Sequence, residues 1–172
     1  MFEGWDSFYL MIGGAAGALI GLLFIVVTLI RGGDAATKLR TTGVYMTPTV
    51  AHLAMVLVLS AVATAPSLSL TIDGVIFGAC ALACLGFAAR ALLMFGIRSV
   101  QATHWSDILA YGIAPLALCS ALAISAAAVW LSPAWAARGI AASLLALLLL
   151  AIRNAWDLVT WITAKADELD KS

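Results

Sequence analysis

Between Asp6 and Arg31 the chain carries no Asp, Glu, Lys or Arg, and the interval is filled by an apolar run over residues 8–30. That length matches the roughly 20 residues a helix needs to cross the hydrocarbon core of a bilayer. The middle of the run reads Gly13-Gly14-Ala15-Ala16-Gly17-Ala18-Leu19-Ile20-Gly21. Gly13, Gly17 and Gly21 recur every four residues, so on a helix they form one strip without side chains along which a second backbone can approach. Bulky residues continue the run and suit lipid or neighbouring helices. The stretch predicts a membrane span with a contact surface, and two uses of that surface stay open. It can nest against another span of this chain, or join copies of the chain into a homo-oligomer.

Four more runs follow, over residues 47–71, 74–95, 108–131 and 139–162. The second opens on Thr47-Pro48, where proline costs a helix little, and Pro66 near its far end predicts a kink or a helix exit. The third begins after Asp73 and carries Gly74, Gly78 and Gly86 with Ala79 and Ala83, another small-residue surface. The fourth follows Trp105-Ser106-Asp107, residues suited to capping, and holds Pro115 and a small-residue series Ala117, Ala121, Ser125. Five spans consume nearly all 172 residues and leave a solvated tail over 163–172 but no soluble domain. Composition agrees: 64% of residues are hydrophobic and 10% charged, against roughly 45–50% and 25% in soluble domains. The predicted fold class is all-α, a single integral membrane bundle of five transmembrane helices.

Charge placement orients the bundle. Arg31, Lys38 and Arg40 lie between spans one and two, Arg98 between three and four, and Lys165 and Lys171 after span five, whereas the opposite side has only Arg138. The excess of basic residues on one side predicts an outside amino terminus and a cytoplasmic carboxyl terminus. Trp5, Trp105, Trp130, Trp135 and Trp161 near span ends suit interfacial belts. The acidic, aromatic start Met-Phe-Glu-Gly-Trp-Asp is unlike a secretory signal, so the first span is expected to be retained. Nine basic and nine acidic residues without a basic cluster argue against nucleic acid as a partner.

The pattern from Phe8 to Phe24, Phe-Tyr-Leu-Met-Ile-Gly-Gly-Ala-Ala-Gly-Ala-Leu-Ile-Gly-Leu-Leu-Phe, resembles the opening helix of a group of small bacterial polytopic membrane proteins without an assigned activity. The resemblance covers about one tenth of the chain. It implies a bacterial origin, hence the inner membrane, and transfers no functional residue.

Ionisable groups inside spans are costly and by default point to a functional site. This chain has His52, Arg90, Arg153 and Asp157, joined by the amide of Asn154. Counting about 1.5 Å per residue puts His52, Arg90 and Asp157 each about 8 Å from the cytoplasmic end of its span, one common depth. Arg153 and Asp157, four apart, share a helix face and can pair. Two readings of this polar cluster follow: a site for an anionic headgroup, a small ion or a proton, or snorkelling arginines locked to Asp157 between spans three and five.

Cys80, Cys84 and Cys119 lie inside apolar runs and are expected to be small packing residues rather than disulfide partners. Metal binding by Cys80, Cys84 and a histidine is disfavoured by depth, since both cysteines count to the outer half or the middle and His52 to the inner half. Haem held by His52 and His104 is disfavoured because His104 lies in a loop, and no cofactor is expected. Ser60, Ser120, Ser125 and Ser143 have no histidine at a matching depth, and the chain lacks a His-Glu-x-x-His pair, a P-loop and a dinucleotide fingerprint. The sequence therefore predicts a non-catalytic membrane protein that acts by assembly, with itself or as an accessory subunit of a larger membrane complex. The alternative is an oligomeric ion or proton channel, or a transporter, lined by the polar cluster.

Overall fold

A computed structural model describes residues 2–29, 47–66, 69–98 and 108–170. The described residues are helical almost throughout, and five helices are long and apolar enough to cross a membrane. They are α1 (Asp6–Leu29), α2 (Thr47–Thr64), α3 (Leu70–Arg98), α4 (Ala114–Ala127) and α5 (Pro133–Asp170). A π turn (Leu109–Ile113) leads into α4 and a 3-10 turn (Ala128–Trp130) ends it. The chain is a multi-pass membrane protein by this measure. The basic residues Arg31, Lys38 and Arg40, the residues His104, Trp105, Ser106 and Asp107, and Lys171 lie outside the described residues.

At three helix ends the difference from the sequence expectation has a visible local reason. α2 stops at Thr64 rather than near residue 71, because Pro66 cannot continue the helix, and α3 starts at Leu70 rather than Gly74. The start is set by Ser69, whose Oγ accepts the backbone N–H of Ile72 at 3.2 Å, an N-cap contact, and Asp73 then falls in the first turn where a carboxylate favours the helix dipole. α5 starts at Pro133, six residues before the expected position, because proline at the first helical position loses no hydrogen bond and Ala136 N–H bonds Ser132 O at 3.0 Å. The added turn carries Arg138 against the ring of Trp135, 5.4 Å to its centroid, a charge held at a span end over an aromatic face.

α2, α3, α4 and α5 form a ring, and α1 lies outside it against α2 and α5. α5 is the central helix: half of its membrane window is buried, against 28% for α1 and α3. Its inner stripe is Ile140, Leu144, Leu147, Leu148, Ala151, Ala155 and Leu158. At 38 residues it is about 57 Å long, so its carboxyl-terminal turns run beyond a ~30 Å core. The other end is closed by aromatic rings. A turn joins Trp5 N–H to Phe2 O, with Gly4 at φ +82°, and folds Phe2 back against Tyr9 and Phe77, each with centroids 5.2 Å away.

Close helix contacts fall at glycines only partly anticipated. A Cβ on Gly13 would sit 2.9 Å from Ser60 Cβ, so the first glycine of the strip does nest against α2, and Gly17 stands 3.9 Å from Leu57 by the same measure. Gly74 lies under the Trp130 ring, where a Cβ would approach to 2.8 Å. Gly21, Gly78 and Gly86 meet nothing within 4 Å, so they make no close helix contact within the chain. The approaches of comparable closeness are instead at Gly112, 2.7 Å from Leu92, and at Gly139, whose Cβ position overlaps Ser125. In lipid both sides of a helix are apolar, so four-residue spacing marks a smooth face without saying which way it points.

Candidate functional site

The five intramembrane polar residues do not share one environment. Arg153 and Asp157 form an ion pair at 3.2 Å on the outer side of α5, both about half exposed. Arg90 is exposed on α3. Asn154, one residue from Arg153, turns inward and is 2% exposed, and His52 on α2 is 4% exposed. A step of one residue rotates a helix position by about 100°, which is why neighbours in sequence separate onto opposite sides.

Asn154 serves a defect in α4. In the π turn, Ala114 N–H bonds Leu109 O, one residue further back than in an α-helix. In that register the donor for Ala110 O would be the N–H of residue 115, which is proline and has none. Asn154 Nδ2 fills the gap, donating to Ala110 O at 3.2 Å. Tyr111, on the same turn, donates its hydroxyl to Asn154 O at 3.1 Å. Proline, π turn and buried amide are one unit that ties the start of α4 to α5.

His52 has a different set of neighbours. Cys84 on α3 and Cys119 on α4 are joined by a disulfide, with Cα atoms 5.7 Å apart. A ring nitrogen of His52 and the two sulfurs all lie within 4.8 Å of one another. All three residues are buried, and His52 Nε2 has no hydrogen-bond partner. Two expectations are corrected here. Cys84 and Cys119 are not merely packing residues, and a histidine does reach a cysteine pair, although the pair is Cys84 and Cys119 rather than Cys80 and Cys84. Cys80 stays a free thiol, partly buried.

Depth counting misled because it took the span ends to share a plane. α2 has 18 residues and α3 has 29, so their lengths differ by about 16 Å, and residues counted from their ends do not line up. Cysteine pairing across 35 residues has no local sequence signal. A signal for Asn154 did exist, since Pro115 inside a span requires some donor for the carbonyls it strands.

Chemically, the triad offers two soft sulfurs and one imidazole nitrogen from three helices, in the bundle interior where Leu53 and Val56 of α2 and Leu122 of α4 are fully buried. The Arg153–Asp157 pair offers a neutralised charge on the outer side of α5, partway along the helix. No family model matches the chain, and neither any curated protein nor any solved structure shows significant similarity to it.

Proposed function

We propose that the protein is a non-catalytic integral membrane protein of the bacterial inner membrane that acts by self-assembly, with its amino terminus outside and its carboxyl terminus cytoplasmic. What carries this reading is the outer face of α1. Gly14, Ala15, Ala18 and Gly21 are all exposed there, Gly14 and Gly21 meet nothing within 4 Å, and the large exposed side chains of Leu10, Met11, Leu22 and Ile25 flank them. The result is a shallow recess between two bulky rims on a lipid-facing surface, the shape into which a second helix fits closely without cost in side-chain entropy. α3 offers a similar face at Ala79, Ala83 and Gly86.

The test is native mass spectrometry of the protein extracted gently from its own membrane. A discrete homo-oligomer is expected for the wild type and a monomer for Ala18→Leu, with unchanged helix content because Ala18 touches no core. A monomeric wild type, or an Ala18→Leu variant that still assembles, refutes the proposal. A single copy bound to other chains would assign it as an accessory subunit instead.

The conducting alternative draws on a separate observation, the half-exposed Arg153–Asp157 pair on the outer side of α5. An assembly that turned this side toward its axis would line a path with charge. Asp157→Asn would then alter ion or proton flux in liposomes without preventing assembly, and unchanged flux in a conducting preparation removes Asp157 from any mechanism.

A further inference from the structure

We infer that His52, Cys84 and Cys119 form a redox-gated site for a thiophilic divalent cation, zinc in its simplest form, inside the bundle. Three observations meet at this point. The three ligand atoms lie within 4.8 Å of one another, and each comes from a different helix, α2, α3 or α4. His52 is 96% buried by its 4% exposure, and its Nε2 has no partner. The sulfurs are already adjacent, since they are bonded in the oxidised form.

The gating step is a disulfide reduction. The Cys84–Cys119 sulfur–sulfur bond accepts two electrons and two protons from a dithiol reductant, which is itself oxidised to its disulfide, and two thiols result. A cation then displaces both thiol protons to solvent. Reoxidation by a disulfide of higher potential reforms the bond and expels the ion.

Charge selects the ion. Two thiolates, one neutral imidazole and a divalent cation sum to zero, whereas a monovalent cation on the same ligands leaves a net negative charge in an apolar interior. Sulfur and imidazole donors favour zinc over hard cations such as magnesium or calcium. Cys80 is excluded, since it does not belong to the group of mutually close ligand atoms.

The experiment uses the full-length protein in lipid nanodiscs, reduced with a water-soluble phosphine, which takes oxygen from water as it yields the two thiols. Titration should then count three thiols per chain. Cobalt(II) serves as the spectroscopic probe. Expected are thiolate-to-cobalt charge-transfer bands at one ion per chain, displacement by zinc, and release on reoxidation. Cys84→Ser and Cys119→Ser should weaken binding more than 100-fold, since losing even an outer-shell partner costs 10–100-fold. Cys80→Ser should bind as the wild type does.

Alkylation of the wild type needs no variant to fold: zinc should protect Cys84 and Cys119 and leave Cys80 reactive. The proposal is overturned if the reduced wild type shows no charge-transfer band or no protection. Bands that persist in Cys84→Ser, or a pair that resists reduction, overturn it equally.

Discussion

Replacing Asn154 with leucine isolates what the buried amide does for α4. The substitution removes the 3.2 Å hydrogen bond to Ala110 O, and Ala110 is only 3% exposed, so the carbonyl is left without a donor in an apolar setting. An orphaned buried acceptor costs about 1–3 kcal/mol, while side-chain hydrogen bonds measured inside membrane proteins average about 0.6 kcal/mol. Part of the loss is offset, because Asn154 Oδ1 is itself buried without a partner and disappears with the mutation. The net destabilisation should be about 1 kcal/mol.

The decisive comparison adds Pro115→Ala. Alanine restores the N–H that the π register lacks, so Ala110 O regains a backbone donor and no longer depends on α5. Asn154→Leu should then cost close to nothing, a coupling of about 1 kcal/mol between the two sites. Reversible unfolding of the four proteins in mixed micelles with increasing dodecyl sulfate, followed by circular dichroism, measures all four corners of the cycle. Additive costs would refute the argument, as would an Asn154→Leu variant more stable than the wild type. Tyr111→Phe serves as a milder comparison: Asn154 O keeps its helical donor in α5, so the lost hydroxyl strands no acceptor.

Two further outcomes follow from the packing. Gly13→Ala should destabilise the fold by about 1–3 kcal/mol because its methyl lands 2.9 Å from Ser60 Cβ, whereas Gly21→Ala and Gly86→Ala, which meet nothing, should be neutral or stabilising by up to about 1 kcal/mol through helix propensity. The same unfolding assay ranks the three, and equal costs would show that α1 does not nest against α2. Removing the disulfide as Cys84→Ala with Cys119→Ala releases a cross-link spanning 35 residues, for which chain entropy gives about 4 kcal/mol as an upper bound. Helices that persist in the unfolded membrane state reduce that figure, so a loss above the bound would mean the pair also organises packing.

Helix number was legible because the bilayer demands one quantity, a long apolar run with few charges, and every span meets it. Helix boundaries were less legible, since the ends depend on a hydroxyl at Ser69 or a proline at Pro133 rather than on hydropathy. Orientation about each helix axis was not legible at all. In water the apolar face of a helix declares itself, but lipid is as apolar as a protein core, and Gly13 and Gly21 look alike until neighbours are placed. The Arg153–Asp157 pair could be read from its four-residue spacing because both partners lie on one helix. Pro115 signalled that some donor was needed, but that Asn154 supplies it, and that His52 meets Cys84 and Cys119, could not be read, because each contact joins different helices whose relative height no residue count fixes.

Among the described residues four buried polar atoms lack partners: Tyr9 OH, His52 Nε2, Ser60 Oγ and Asn154 Oδ1. They are not equivalent. A serine hydroxyl can rotate toward the carbonyl four residues back on its own helix, and Asn154 already uses its donor on Ala110. Tyr9 is held by the rings of Phe2, Trp5 and Phe8. His52 alone presents a rigid polar ring beside two further ligand atoms. With the disulfide intact its imidazole is a desolvated group with an unmet hydrogen bond, costing about 1–3 kcal/mol. His52→Leu should therefore stabilise the oxidised protein by about 1 kcal/mol and lower the stability of the reduced protein in zinc, where ligation repays the desolvation. Loss of stability in the oxidised form would show that His52 is a packing residue, and the reversal between the two states is what a packing role cannot produce.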